Sequence, residues 1–578
     1  MNRVKDFVTN PFEHASPRRD LLAALLVAVI LVPQGMAYAS LAGLPPIYGL
    51  YAAFVPLIVY PFFGSSRHLS VGPVALVSII LYTGLSNLAV PGSEEFIQLA
   101  LLTALVAGII QILLGVFRMG FLINFLSDPV IHGFTTAAAI IIILSQLKAL
   151  LGIAITGNLN AIEIFKALIY NLPYAHVTTS IIGLATLIFL LILKRIKKSF
   201  PASLCAIIIG TVLVYAFQLH HDEVSIIGEV PAGLPGLTGD FIIFDKILSI
   251  LPLAGVICLI SFIESLAISK SISARNNHYK IDANKELFGL GMAKLIGSFF
   301  QAFPNTGSFS RSAINDEAGG RSGLSSLITA GFIGLILLFF TQLFYYLPKT
   351  ILAAIVISAV LGLLNFSYAK NLFHLDRKDF YVFLTTCILT LIFGIQTGVL
   401  TGIVLSIIMI LHKTSKPHHA ILGQLPGTHS FRNINRYPEA ITNEDTLIIR
   451  YDQDIYFGNA QHFQSKIIEL LDRHGKAKSF ILNAGVISSI DSTGISQMKL
   501  LLDTLEARNV RLFLTHLRGP VRDKLSETGL LQRIGADNIY LTVHDAVYRK
   551  ETIGTRSQIS KGYAAQFGDD PINNIIEE

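Results

Sequence analysis

The sequence predicts an α-helical membrane protein of about 14 transmembrane spans followed by a soluble α/β domain. Three observations carry that prediction. The 578 residues are 52% hydrophobic and only 14% charged, with a mean hydropathy of +0.60, whereas soluble chains carry about 25% charged residues. The apolar residues cluster into segments near the roughly 20 residues that cross a bilayer. Two polar breaks, one early and one late, interrupt those segments.

The apolar segments at 21–39, 97–117, 251–268 and 324–347 are the clearest spans; 181–193, 380–393 and 398–411 are shorter, as tilted or half-spanning helices are. The run at 21–39 is too long for the apolar core of a cleavable signal and leads directly into Pro45-Pro46 and a second span, so it reads as the first transmembrane helix. Charge supports the count. Arg18 and Arg19 precede span 1, and basic residues follow every even-numbered span, including Arg67, Arg118, Lys285, Arg321, Arg377 and Lys413. The odd-numbered exits carry few. By the positive-inside rule both termini then lie in the cytoplasm, here that of a bacterial inner membrane. The same distribution removes any need for a nucleic-acid partner to explain the net charge of +6. The three cysteines, Cys205, Cys258 and Cys387, are far apart in apolar segments and read as buried side chains. The chain has no Trp, which leaves tyrosines such as Tyr345 and Tyr346 to mark a membrane interface.

Domain boundaries follow composition. Residues 1–20 form a short N-terminal segment, 21–415 the membrane domain and 416–435 a linker. From 436 to 552 strands and helices alternate. Strands are expected at 447–451, 454–457, 479–482 and 511–515, and helices at about 460–473, 494–508 and 520–528, which makes a sheet with helices packed on it. Residues 553–578 read as a mobile tail.

The breaks are the informative feature. One runs from Gly64 to Pro73, the other from Pro304 to Ser312, and the second contains Arg311. Irregular backbone survives at membrane depth only where protein buries it or a wet cavity adjoins it. A cation there is costly and points to a function, in this case anion binding. Interrupted spans in two halves of a chain mark a transporter of inverted repeats, with the substrate between the broken helices.

Four motifs, Val32–Ala39 (VPQGMAYA), Pro46–Tyr51 (PIYGLY), Ser127–Phe134 (SDPVIHGF) and Asn305–Ser312 (NTGSFSRS), together with Asp491-Ser492-Thr493-Gly494 in the soluble domain, resemble the sulfate permease (SulP) family of anion transporters and its C-terminal STAS domain. The resemblance spans nearly the whole chain in order. It implies two inverted seven-span repeats divided into core and gate domains, a cytoplasmic STAS domain and a homodimer. It places two half-helices near the bilayer midplane with facing N-termini, beginning here near Ala75 and Leu76 and near Phe309 and Ser310. Helix N-termini offer unsatisfied N–H groups and about half a positive charge each, so two aimed at one point suit an anion. Arg311 adds a permanent charge and a planar fork of donors. Carried over from the family, Gln34 and Tyr38, one turn apart on span 1, line the same pocket, and Phe309 walls it. Competing readings stand beside these: helix capping for Ser308 and Ser310, a structural ion pair for Arg311, and interhelical hydrogen bonding for Gln34 and Tyr38.

Glu264 lies in an apolar stretch between Ser261 and Ser265. Burial disfavours a carboxylate and a nearby cation favours it, so a carboxyl facing Arg311 can gain and lose a proton as a cavity opens. It is the expected proton carrier, with a static Glu264–Arg311 pair as the alternative. Ile268, one turn on, is apolar, where sodium-coupled relatives place a hydroxyl. Lys294 is a second intramembrane cation with no assigned place; it either snorkels or pairs with a carboxylate. His132 reads as a packed polar residue, Gly289 and Gly291 as helix contacts, and His220-His221-Asp222-Glu223 as an exposed loop instead of a metal site. Thr493 occupies the position phosphorylated in stand-alone STAS relatives, against a plain helix-capping reading of its loop. No cofactor is expected.

The function expected is proton-coupled sulfate import by alternating access. Bicarbonate, a dicarboxylate or chloride exchange are alternatives at the same site, and a non-transporting sensor signalling to a cytoplasmic protein through the STAS domain is a different class. No nucleophile–base pair, metal spacing or phosphate loop supports an enzyme or an ATP-driven pump.

Overall fold

The computed structural model describes residues 7–121, 127–153, 161–196, 202–219, 224–276 and 279–549. The chain divides into two compact units, split between Ser406 and Ile407.

Up to Ser415 the chain has two halves of seven spans each, the last span running past the division at Ser406. In the first half they are α1 (Pro17–Leu41), α2 (Ile47–Val59), α3 (Ala75–Leu85), α4 (Glu94–Val116), α5 (Asp128–Leu151), α7 (Val177–Ile196) and α8 (Ala202–Ala216), with an extra helix α6 (Ala161–Asn171) after the fifth span. In the second they are α9 (Ile247–Arg275), α10 (Ala283–Phe299), α11 (Phe309–Glu317), α12 (Leu324–Phe339), α13 (Lys349–Val360), α15 (Arg377–Phe393) and α16 (Ile395–Ser415). The extra helix α14 (Phe366–Leu375) again follows the fifth span. The third span of each half is the short one, and each is preceded by a two-residue strand, β1 (Val71–Gly72) and β2 (Thr306–Gly307).

Small residues set the packing, as they do where lipid supplies no hydrophobic drive between helices. A Cβ on Gly49 would lie 1.9 Å from the Gly35 carbonyl oxygen, so α1 and α2 touch through backbone. A Cβ on Gly108 would lie 2.8 Å from the Gly291 oxygen, which joins α4 to α10 in the same way. Gly289 likewise abuts Gly64 in the first break, so Gly289 and Gly291 are both close-packing contacts of α10. The N-terminal segment is tied to the end of α2 by Thr9 N–H to the Phe62 carbonyl at 2.8 Å. The basic approach to span 1 and two even-numbered exits converge: Arg19, Arg67 and Arg321 line one cavity of about 610 Å³. His132 stacks on Tyr368 with ring centroids 3.9 Å apart, the packing role expected of it.

The second unit is a six-stranded sheet in the order β4-β3-β5-β6-β7-β8, where β3 is His419–Gln424, β4 Phe431–Asn433, β5 Thr446–Tyr451, β6 Ser479–Asn483, β7 Arg511–Thr515 and β8 Ile539–Tyr540. The last four pair in parallel and β3 pairs antiparallel with both its neighbours. Period-2 alternation divides the strands between two cores. Leu447, Ile449, Phe480 and Leu512 pack with α17 (Ala460–His474) and α18 (Ser492–Ala507), while Ile448, Ile481 and Phe513 face Val543 and Ala546. Two short helices, α19 (Gly519–Glu527) and α20 (Leu530–Ile534), follow β7, and α21 (Val543–Tyr548) closes the domain.

Two expectations are corrected. Residues 416–435 are not a linker: they hold β3 and β4, and the sheet begins at His419. Residues 454–457 are not a strand. Ile455 makes only an isolated bridge to Ile490, and beside it the Asp454 carboxylate, not a strand ladder, accepts the backbone N–H groups of Ser488 and Ser489. The 553–578 tail and the 220–223 cluster lie outside the described residues.

Candidate anion site

The site is built from the two breaks. β1 and β2 pair antiparallel, with Val71 opposite Gly307 and Gly72 opposite Thr306. The Ser308 N–H extends the ladder to the Ser70 carbonyl at 3.1 Å. Each strand leads into a short helix, so the antiparallel crossing brings the N-termini of α3 and α11 to the same depth from opposite sides. Val74 and Ser308 are the N-cap residues, and neither side chain caps its helix. The first-turn N–H groups are thus left without a side-chain acceptor.

Arg311 sits one turn into α11 and is fully buried. Its Nη1 donates to the Pro73 carbonyl at 3.0 Å and its Nε reaches the Ser70 Oγ at 3.4 Å, both across the crossing. Its Nη2 has no hydrogen-bond partner among the described residues. A Cβ on Gly72 would lie 3.3 Å from that nitrogen, so glycine there leaves the guanidinium its space. Arg311 therefore fastens one break to the other with two of its nitrogens and keeps a third free.

α1 packs against both α3 and α11, and a Cβ on Gly35 would lie 3.7 Å from the Pro73 ring. Gln34 is buried there with its Oε1 unpartnered. The Tyr38 phenol is within electrostatic range of Arg311 and of Glu264. Ala75 and Leu76 are buried at the start of α3, whereas Phe309, 53% exposed, and Ser310 leave the start of α11 uncovered. Phe309 is therefore not packed as a wall over the site in this structure.

Glu264 has a buried, unpartnered Oε2 and interacts electrostatically with Arg311 without an ion pair between them. The serines beside it hold its helix to the crossing. Thr306 Oγ1 donates to the Ser261 carbonyl at 2.8 Å, and the Gly307 N–H donates to Ser265 Oγ at 2.9 Å. The structure thus brings Gln34, Tyr38, Ala75, Leu76, Ser310, Arg311 and Glu264 together around one crossing, and it favours neither ion-pair alternative. Sequence reasoning missed Ser70, Pro73, Ser312 and Thr306. The Ser70 N–H donates to Ser312 Oγ at 2.9 Å, a contact whose only sequence signal is the hydroxyl content of both breaks. Lys294 also differs from expectation: it is fully buried and donates to Gln111 Oε1 at 3.0 Å, neither snorkelling nor pairing with a carboxylate.

In the soluble unit, Thr493 is exposed at the start of α18. The cap of that helix is Asp491, whose Oδ1 accepts the Gly494 N–H at 2.7 Å and whose Oδ2 accepts the Phe457 N–H at 2.8 Å.

Two seven-span halves with crossed, broken third spans define a secondary transporter of the inverted-repeat class. The comparisons say which. Residues 18–386 match the sulfate permease family and residues 437–546 the STAS domain. The chain belongs to the sulfate permease family of anion transporters, and it is not an enzyme. It is 40% identical over 546 residues to sulfate transporter 4.1, chloroplastic, of Arabidopsis thaliana, covering 91% of this chain and 79% of that one. It is 37% identical over 552 residues to high affinity sulfate transporter 2 of Stylosanthes hamata, covering 92% and 83%. Among solved structures, the murine solute carrier 26 family member A9 anion transporter in the inward-facing state matches with a TM-score of 0.87 at 24% identity over 94% of each chain. The transmembrane domain of the cyanobacterial bicarbonate transporter BicA matches with a TM-score of 0.58 at 22% identity, covering 68% of this chain and 97% of that one. These two likenesses bear on the fold alone.

Proposed function

We propose that this protein imports sulfate with protons by alternating access. The carrying observation is the free Nη2 of Arg311, buried where two uncapped helix N-termini meet. A buried guanidinium nitrogen without an acceptor is expensive, and a tetrahedral oxyanion of charge −2 supplies both the acceptor and the counter-charge. The relatives named as sulfate transporters, at 37% to 40% identity over most of the chain, support sulfate over other oxyanions.

In this reading the N–H groups at Ala75, Leu76, Phe309 and Ser310 hold the anion with the Ser310 hydroxyl, Arg311, the Gln34 amide and the Tyr38 phenol. Glu264 carries the proton. Ionised, it compensates Arg311 in the empty site; protonated, it leaves the guanidinium to the anion. The crossing is a rigid body held by β1–β2, Arg311 and Ser312, and it moves past the other helices to open the site on alternate faces. The membrane is a bacterial inner membrane with both termini cytoplasmic, the protein works as a dimer, and the STAS domain contacts a cytoplasmic partner under control of Thr493.

The test is labelled-sulfate uptake into proteoliposomes with and without an inward proton gradient, for the wild type and Glu264→Gln. Gradient-driven uptake that the variant loses is the expected result. Uptake indifferent to both the gradient and the variant removes proton coupling. Absence of sulfate uptake, with bicarbonate or fumarate bound instead, overturns the substrate.

A further inference from the structure

Lys294 is the largest unexplained charge in the membrane unit. It lies in α10, fully buried, where the Gly108–Gly291 contact presses α4 against its helix. Its one hydrogen bond among the described residues is to Gln111 Oε1. An ammonium has three donors, so two are left without acceptors if the group is charged. Gln111 passes the contact on: its Nε2 donates to Ser261 Oγ at 2.9 Å and to the Cys258 carbonyl at 3.0 Å. Ser261 in turn accepts from Thr306 of β2 through its carbonyl. A continuous set of contacts thus joins Lys294 to the strand crossing and to the turn that bears Glu264.

No carboxylate is paired with Lys294 among the described residues. On α9 the titratable groups are Cys258, which interacts with it electrostatically, Glu264, and towards the C-terminal end the exposed Lys270 and the last residue of the helix, Arg275. Directly after α2 there is Tyr60, whose hydroxyl donates to Glu286 at 2.7 Å. Glu286 is on the same helix as Lys294, but its oxygens are taken up by Tyr60, Ser65 and Ser66. A full charge buried without a counter-charge is expensive, and in the reading above the empty core has none to spare, because Glu264 is the group that compensates Arg311.

We propose that Lys294 is a second proton carrier, uncharged in the empty core and protonated when a divalent anion binds. The proposal rests on the sulfate reading above. Charge is then balanced in both states. The empty core holds Arg311 (+1), Glu264 (−1) and a neutral Lys294 amine. The loaded core holds Arg311 (+1), protonated Glu264, the Lys294 ammonium (+1) and sulfate (−2). One proton adds to the Glu264 carboxylate and one to the lone pair of the Lys294 nitrogen, both from the side on which sulfate enters. Transport is therefore two protons per sulfate and electrically silent.

The experiment is sulfate accumulation in proteoliposomes at a fixed proton gradient and a clamped membrane potential. The wild type is expected to be indifferent to potential. Lys294→Met, which keeps the length and removes the charge, is expected to carry one proton per sulfate. Its steady-state accumulation then changes about tenfold for each ~59 mV, the factor for one charge, and falls as the interior becomes more negative. Lys294→Arg, permanently charged, is expected to keep sulfate–sulfate exchange and lose net uptake, since its empty core cannot return neutral. Proton-driven sulfate uptake in Lys294→Met with the potential independence and stoichiometry of the wild type overturns the proposal and leaves the sulfate reading intact. Should neither variant fold, a wild-type stoichiometry other than two overturns it. Absence of sulfate uptake by the wild type sinks the reading itself, and the proposal with it.

Discussion

Two helix starts in this chain solve one physical problem in opposite ways. Every α-helix begins with N–H groups that have no partner inside the helix. At α18 in the soluble unit the chain supplies its own anion: Asp491 accepts the Gly494 and Phe457 N–H groups, and Asp454 accepts those of Ser488 and Ser489 on the preceding loop. At α11 in the membrane unit the N-cap is Ser308, which makes no side-chain cap, and the nearest charge is a cation. The first helix start is closed by its own carboxylate; the second has no side-chain cap, and in the function proposed above it is left for an anion from outside. The difference lies in the cap residue, not in the backbone, and it separates structural support from an anion site.

The strongest way to break the comparison is to make α11 cap itself. Ser308→Asp places a carboxylate where the anion belongs. Two like charges about 4 Å apart repel by about 4 kcal/mol at an effective dielectric of about 20, which is roughly a thousandfold in affinity. Sulfate uptake is expected to vanish while the purified protein keeps or raises its melting temperature. Normal uptake by this variant would refute the placement of the anion at α11.

A smaller effect sharpens the role of the cation. Arg311→Gln removes the charge and the free nitrogen. Hydrogen bonds to charged groups contribute about 1.5–3 kcal/mol, so sulfate binding measured by calorimetry is expected to weaken about 10- to 100-fold. Ser70→Ala removes only the hydroxyl that steadies Nε, and about 1 kcal/mol corresponds to roughly fivefold in the apparent KM. Equal losses in the two variants would mean that Arg311 acts by fastening the breaks and not by meeting the anion.

Residue type explains what the sequence made legible. Arg311, Glu264 and the two breaks stand out because charge and Gly/Ser-rich backbone are rare in apolar runs, and the half-helix starts at Ala75 and Phe309 fall where expected. The cross-links that set the geometry did not stand out. Ser70 and Ser312 are 242 positions apart, and a serine in an apolar helix looks the same whether it back-bonds to its own turn or crosses to another. β3 and β4 escaped for a different reason. They are flanked by polar residues, so only their pairing reveals them, β3 on β5 and β4 on β3. Lys294 was visible as an anomaly, but its partner Gln111 lies 183 positions away on another helix.

In the soluble unit the same logic predicts a stability effect with no transport phenotype at the anion site. Asp491→Ala removes the cap of α18, and loss of such a cap costs about 1 kcal/mol. Hydrogen exchange in the full-length protein should show faster exchange at Gly494 and through α18, with the KM for sulfate unchanged. A shift in KM would mean that this helix start takes part in the site.

The smallest effect separates the two regions by pH. Burial raises the proton affinity of Asp454, but the hydrogen bonds from the Ser488 hydroxyl and backbone and from Ser489 outweigh it and hold the carboxyl below its ordinary value. A group held low in the fold binds its proton more readily in the unfolded chain. The stabilisation it gives is therefore complete above the unfolded value, near 3.9, and is lost as pH falls through the folded value. Protection of the 488–494 loop, corrected for intrinsic exchange, is expected to hold from neutral pH down to about pH 4 and to decline below it. Asp454→Asn should lower protection at neutral pH and flatten that decline. In the proposed function transport is governed by Glu264 and a proton gradient instead, so its pH dependence should survive Asp454→Asn unchanged. If both responses moved together in the variant, the self-capped loop and the uncapped site could no longer be treated as independent devices.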